Sequence, residues 1–283
     1  MRSNGEEDAV VVLQRRKILP SSGKEVVIIS INRPNKNNCF DTEVLSSLSK
    51  IFRSLLQNES SSIDDDLAAI ILTGEGSSFC AGADLSNPPS GIAASSDLPH
   101  HLLDNPAYQM SLMNVPIIAA LKGFVITGGF ELALACDILV GDKTVIFKDT
   151  HCKFNVAPCW GLSQKLQRRV GIGRAKMLSL GAIRINAPQA YAWGLLDVLT
   201  ENLSSLERAL EIADSIGKNS SNMVVRYKRA IDEGGNMTLE QGLQRERSLA
   251  IAHYVEIAQD NDDTYSQAKD FITNKTSRQR SKL

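Results

Sequence analysis

At 283 residues, with 43% hydrophobic and 22% charged side chains, the chain has the size and composition of one large globular domain or two modest ones. A formal net charge of -1 gives no global attraction to nucleic acid or to an anionic membrane, and only the extreme C-terminus is basic. No apolar run approaches the roughly 18–20 residues that span a bilayer, so neither nucleic acid nor a membrane span is expected.

Met1 to Asp8 lacks the apolar stretch of a secretory signal and carries three acids, which argues against a transit peptide and leaves residues 1–20 as a polar extension. Val26 to Ile31 is a β-branched run ended by Asn32-Arg33-Pro34, a strand followed by a loop. Asp41 can cap the next helix, whose apolar face is Val44, Leu45, Leu48, Ile51, Phe52, Leu55 and Leu56. Leu67 to Leu72 reads as a second buried strand, and strand, helix, strand in this order implies a right-handed parallel unit. Thr73 to Gly76 is a turn, and Ser86 to His101 is expected to be a Ser-, Pro- and Gly-rich surface segment, with His100 and His101 expected to face solvent.

Pro116 to Leu121 is another strand, with its proline at the tolerated first position. Gly128-Gly129 opens a helix through Ala135, and Asp137 to Val140 returns to the sheet. Beyond residue 160 the periodicity is helical, over 162–170, 175–180, 188–193 and 206–216, with a long helix from Thr238 that has capping-box spacing to Gln241. The pattern is that of an α/β protein, a repeated βα core followed by helices.

The five cysteines, Cys39, Cys80, Cys136, Cys152 and Cys159, are odd in number and unevenly spaced, as for thiols in a reducing compartment. His151, Cys152 and Cys159 lack a C-x-x-C partner or a fourth ligand at metal-site spacing, and no metal is expected. The last residues, Ser281-Lys282-Leu283, match the peroxisomal address read by an import receptor, and Arg278-Gln279-Arg280 is expected to keep the tail solvated.

Two loops carry chemistry. Ala81-Gly82-Ala83 follows a strand and has little side-chain bulk, so a ligand can approach its main chain. Gly128-Gly129 stands at a helix start, where free N–H groups and the positive end of the dipole face the same anion. Either loop alone is ordinary turn chemistry. Together they fit an oxyanion hole, in which each fixed donor is worth a few kcal/mol, roughly, against a developing negative charge.

In combination the motifs resemble the crotonase (enoyl-CoA hydratase/isomerase) superfamily. The pattern runs through Ile31-Asn32-Arg33-Pro34, then Ile71 to Gly74, Phe79-Cys80-Ala81-Gly82-Ala83-Asp84-Leu85, and Gly123 through Gly128-Gly129-Phe130-Glu131 to Asp137. Asp149-Thr150-His151 and Pro158 to Leu166 resemble a narrower group, the plant-type peroxisomal hydratases, which also end in Ser-Lys-Leu. The resemblance implies a crotonase-like repeated ββα core over 21–200, a helical oligomerisation region over 201–280, and assembly as a homotrimer or homohexamer. It assigns the oxyanion hole to the amides of Ala83 and Gly128 and the substrate-binding segment to Ala81, Gly82, Ala83, Asp84 and Leu85. Coenzyme A enters as part of an acyl-CoA thioester substrate, with no separate cofactor.

In enoyl-CoA hydratases the glutamate at the position of Glu131 holds and activates water; decoration of a first helical turn is the plainer alternative. A second glutamate of the family is replaced here by His151, which can do acid–base work near neutral pH or be a structural histidine. Asp149, two residues away and expected on the other side of the chain, is a weaker substitute. The implied reaction is hydration of a trans-2-enoyl-CoA to a 3-hydroxyacyl-CoA in peroxisomal β-oxidation. The alternatives are isomerisation, thioester hydrolysis, or CoA-ester binding without catalysis. Gly171-Ile172-Gly173 lacks the third glycine of a dinucleotide loop, no Gly-x-Ser-x-Gly elbow occurs, and Cys80 is a nucleophile candidate whose ordinary role is packing.

Overall fold

The β-branched runs build one largely parallel sheet. The computed structural model describes residues 10–17, 23–61, 66–89 and 105–260. In chain order the strands are β1 (Val11–Lys17), β2 (Glu25–Ile31), β3 (Leu67–Gly74), β4 (Ile117–Leu121), β5 (Phe124–Ile126), β6 (Ile138–Asp142), β7 (Ile146–Lys148), β8 (Arg184–Asn186) and β9 (Val198–Thr200). The main sheet has the order β1-β2-β3-β4-β6-β9, and β5-β7-β8 form a second, smaller sheet. Only β1 runs antiparallel within the main sheet, and a row of β-branched residues crosses it from Ile28 through Ile71 and Ile118 to Ile138.

Strand side chains alternate, so each face of the main sheet requires its own cover. Val27, Ile29, Ile31, Ile70, Leu72, Ala119 and Leu121 belong to the larger core. Against it packs α1 (Thr42–Ser61), whose Val44, Leu48 and Phe52 are fully buried and whose first turn is capped by Asp41 Oδ1, 3.1 Å from Val44 N. Val26, Ile28, Ala69, Ile71, Ile118, Ala120 and Val140 turn the other way and meet Ala209 and Ala213. Each fully buried aliphatic side chain contributes about 1.5–3 kcal/mol through removal from water.

Those two alanines lie on a helix that the sequence places after the core's end at residue 200. It begins at Ser204, which forms a capping box with Glu207, and its small residues allow close approach to the sheet. The chain divides into two compact units with the boundary between Val225 and Arg226. The described part of the second unit is helical, and within it Glu233 pairs with Arg229 and Arg245 and Arg226 pairs with Glu256. The helix from Leu239 to Asp260 starts as its capping-box spacing predicts, with Thr238 Oγ1 accepting from Gln241 N at 3.3 Å.

The differences from the sequence reading have local causes. Residues 11–17 form an edge strand, not only a polar extension, because an edge tolerates residues such as Gln14, Arg15 and Arg16. The strands β5, β7, β8 and β9 are three residues each, too short for a period to show. A short helix, α2 (Pro106–Ser111), follows Asn105, whose side chain accepts from Tyr108 N at 3.2 Å. The expected surface segment is described only to residue 89, and His100, His101 and the Ser281-Lys282-Leu283 tail lie outside the described residues.

Candidate active site

The site grows from the C-terminal ends of β2 and β3. Buried Asn38 adopts a left-handed φ of 57° and ties the two loops together. Its Nδ2 donates to the carbonyls of Glu75 (2.8 Å) and Ser78 (2.6 Å), while its Oδ1 accepts from Arg33 N at 2.8 Å. Arg33 reaches onward to Asp84 at 3.0 Å and Asp41 at 3.2 Å, and Lys36 reaches Asp84 at 2.8 Å. The Lys36 ammonium, followed by the Ser86 hydroxyl, holds the Asp84 carboxyl well below the usual carboxylate range.

This frame presents the loop 81–84 to the helix α3 (Gly128–Ala135). Phe40 N donates to Gly82 O at 2.9 Å and Asp84 N donates to Phe40 O at 2.8 Å, a parallel bridge that turns the Ala83 amide away from Phe40. Cys80 bridges to Val125 on the other side, and a Cβ at Gly129 would run into the Cys80 carbonyl. Gly82 has φ +93°, and a Cβ there would stand 3.7 Å from Gly128 N. The two glycine-bearing loops therefore lie against each other. Neither the Ala83 nor the Gly128 amide has a protein acceptor among the described residues.

Glu131 lies one turn into α3 and is 2% exposed. Its Oε1 accepts from Trp160 N at 2.9 Å and Leu162 N at 3.4 Å, which orients the carboxylate and leaves Oε2 facing His151 Nε2 at 3.7 Å. Burial pushes the Glu131 carboxyl up, an effect that the two amides and the His151 charge only partly offset.

The strand β7 delivers the facing group. Asp149 Oδ1 accepts from His151 N at 3.0 Å, a turn that opens a short helix at His151, and the same oxygen lies 2.7 Å from His151 Nδ1. Both side chains are buried. Asp149 therefore faces the same way as His151, not the other side of the chain, because an Asp side chain folded onto the amide two residues on reverses its direction. Burial alone would lower the His151 pKa, but the Asp149 hydrogen bond and the Glu131 charge outweigh it and raise the value. Burial likewise pushes against the Asp149 carboxylate, and its bonds to His151 overcome that and lower it.

The remaining sequence candidates separate from this centre to different degrees. Leu85 is 70% exposed, and Ala81 N is already bonded to Asn37 O at 3.0 Å. Cys80 is fully buried and its thiol is pushed up to about 12, so no thiolate is available there as a nucleophile near neutral pH. Cys152 and Cys159 are exposed, apart from buried His151. Sequence reasoning missed the Trp160 and Leu162 amides, for which a backbone role leaves no residue-type signal. It also missed the Asp149–His151 pairing, for which the Asp-x-His spacing at a helix start was the available sign.

Comparison with known proteins decides the assignment. Residues 21–269 match the family model described as enoyl-CoA hydratase/isomerase. The chain belongs to the enoyl-CoA hydratase/isomerase family. Within it, the chain is 38% identical over 229 residues to the Arabidopsis thaliana protein named "Probable enoyl-CoA hydratase 1, peroxisomal", covering 81% of this chain and 83% of that one. It is 32% identical to the short-chain-enoyl-CoA hydratase of Clostridium acetobutylicum, covering 80% and 84%. Among solved structures, the Rhodopseudomonas palustris protein named "putative enoyl-CoA hydratase" superposes with a TM-score of 0.78 at 25% identity, covering 95% of this chain and 96% of that one. The fold is thus the crotonase fold, a family architecture of parallel sheet and covering helices.

Proposed function

We propose that the protein hydrates trans-2-enoyl-CoA thioesters to 3-hydroxyacyl-CoA. The observation that carries this reading is the buried Glu131 Oε2 facing His151 Nε2 at 3.7 Å, one helical turn from the unengaged Gly128 amide. A single water hydrogen-bonded to both side chains fits this separation. Glu131 takes a proton from that water, and the water oxygen bonds to C3 of the substrate. The C2–C3 π electrons move toward the thioester, whose oxygen becomes an enolate held by the amides of Ala83 and Gly128. His151, protonated and held through Nδ1 by Asp149, donates from Nε2 to C2. The proton left on Glu131 returns to His151 across the short gap between them, and one water has been added.

The names of relatives at 38% and 32% identity support hydration over the alternatives of isomerisation and thioester hydrolysis. The test is a product screen of purified protein against crotonyl-CoA, a 3-enoyl-CoA and a saturated acyl-CoA. Hydration of crotonyl-CoA is expected, and turnover restricted to either of the others would replace this reading.

A peroxisomal role in fatty-acid β-oxidation extends the proposal. It is supported by Ser281-Lys282-Leu283 and by the name of the Arabidopsis relative. A fluorescent fusion is expected to enter peroxisomes and to lose that location when the last three residues are removed. Assembly as a homotrimer or homohexamer is supported by the family resemblance, and a light-scattering mass of one subunit would count against it.

A further inference from the structure

Thr127 precedes α3 and holds φ 49° and ψ -109°, a conformation that a β-branched residue rarely adopts and that glycine would take without strain. Threonine at this position ordinarily turns its hydroxyl onto an amide of the first helical turn, but Thr127 makes no such bond. Its Oγ1 instead lies 2.5 Å from Thr150 Oγ1 and accepts from Thr150 N at 3.1 Å. Its own amide donates to Lys148 O at 2.9 Å, and its carbonyl accepts from Glu131 N at 2.9 Å.

Three parts of the site therefore meet at this residue. Gly128 follows it in the chain, Glu131 is bonded to its carbonyl, and His151 follows the Thr150 that its hydroxyl grips. A β-branched side chain has few χ1 wells open to it, and the two contacts to Thr150 hold Oγ1 in one of them, so position is transmitted in both directions. We infer that Thr127 is a positioning residue, clamped to Thr150, that locks the Gly128 amide, the Glu131 carboxylate and the His151 segment into one frame; this rests on the active-site reading given above.

The role separates activity from stability. Thr127→Gly removes the backbone strain but also leaves Thr150 N and Oγ1 without this partner, so the two effects offset. Tm is expected to stay within roughly a few degrees of the wild-type value, while kcat falls roughly ten- to a hundredfold with little change in KM. Thr127→Val, which keeps the shape without the hydroxyl, should lose a similar factor, and Thr127→Ser should restore most of the rate. Thr150→Val, made from the other side, should reproduce the loss.

A second readout makes the test independent of the reaction. Butyryl-CoA labelled with ¹³C at the thioester carbonyl has no double bond to hydrate, and its bound C=O stretch reports the donors that hold the oxygen. The wild type should lower that frequency, Thr127→Gly and Thr150→Val should lose part of the shift, and Thr127→Ser should keep it. If the wild type polarises the carbonyl but hydrates no enoyl-CoA, the proposed reaction fails and the clamp is judged on the carbonyl shift alone. Wild-type kcat and carbonyl shift in both Thr127→Gly and Thr150→Val overturn the clamp. A wild type that leaves the carbonyl unshifted overturns both the clamp and the oxyanion hole.

Discussion

Asp149 Oδ1 stands 2.7 Å from His151 Nδ1 in a buried pair only two residues apart, and the same oxygen accepts the His151 amide. The pair sets the imidazole: with Nδ1–H directed at a carboxylate, Nε2 is the nitrogen presented to Glu131. A carboxylate that stabilises an imidazolium gives histidine the proton-donating capacity that a second carboxylic acid would otherwise supply. In the proposed reaction the acid–base pair is Glu131 and His151, with Asp149 acting on the histidine.

Glu131→Gln is expected to lower kcat by roughly two to four orders of magnitude, the usual loss for a general base. Glutamine retains an oxygen to accept from Trp160 N and Leu162 N, so the local structure is conserved. Circular dichroism and Tm should match the wild type or improve on it, because a buried charge has been removed. Activity within a factor of a few of wild type would exclude Glu131 as the base.

The pH profile follows from the direction of the two shifts. The base must be ionised, and burial raises the Glu131 pKa above its ordinary value of 4.5, so the acid limb of kcat/KM should lie above that value. The acid must be protonated, and the Asp149 bond with the Glu131 charge raises His151 above 6.5, so the alkaline limb should lie above that. Asp149→Asn removes the largest of the effects that raise the histidine, and the alkaline limb should move to lower pH with a loss of about tenfold or more at neutral pH. An alkaline limb that stays in place would show that His151 is not the group titrating there.

The four long inner strands and most of the longer helices are legible in the chain because each presents a full hydrophobic period. The helix Ser221–Gly234 and the short helices Pro106–Ser111 and His151–Phe154 are not. The capping residues Asp41 and Thr238 mark two helix starts by residue type alone. The strands of three residues and the edge strand are not legible, since pairing partners decide them. At the site, the glycine loops and Glu131 were readable because backbone access and an acid after Gly-Gly are written in residue types. Trp160 and Leu162 enter through their amides, which tertiary geometry alone assigns, whereas Asp149 enters through a local turn whose only sign in the chain is the Asp-x-His spacing. Thr127 was hidden for the opposite reason: its strained φ contradicts what its sequence predicts.

Asn38→Ala should be among the most destabilising single changes outside the reacting groups. It leaves the Glu75 and Ser78 carbonyls without this donor and the Arg33 amide without this acceptor, and places alanine at φ 57°. Unmet buried groups cost about 1–3 kcal/mol each. Because two of these three bonds are only part-buried, a total at the low end, about 3 kcal/mol, is expected. Urea denaturation should show a lower midpoint with unchanged slope. Asn38→Asp tests the direction of the bonds: a carboxylate facing two carbonyls has a raised folded pKa. The variant should therefore be closest to wild type at low pH and lose stability as pH rises through that pKa.

Gly128→Ala and Gly129→Ala should fail in different ways although they are adjacent. A Cβ at Gly129 meets the Cys80 carbonyl, a backbone atom held in the bridge to Val125, and has nowhere to move. A Cβ at Gly128 meets the Phe40 ring, a side chain that packs on Trp160 with centroids 5.2 Å apart. Overpacking of this kind costs about 1–3 kcal/mol, or roughly 2–12 °C in Tm for a domain of this size. Trimming the ring with Phe40→Leu should recover Tm in the Gly128→Ala background and leave Gly129→Ala unimproved. Equal recovery in both would mean that the ring, and not the Cys80 backbone, limits how closely α3 approaches the loop that carries Ala83.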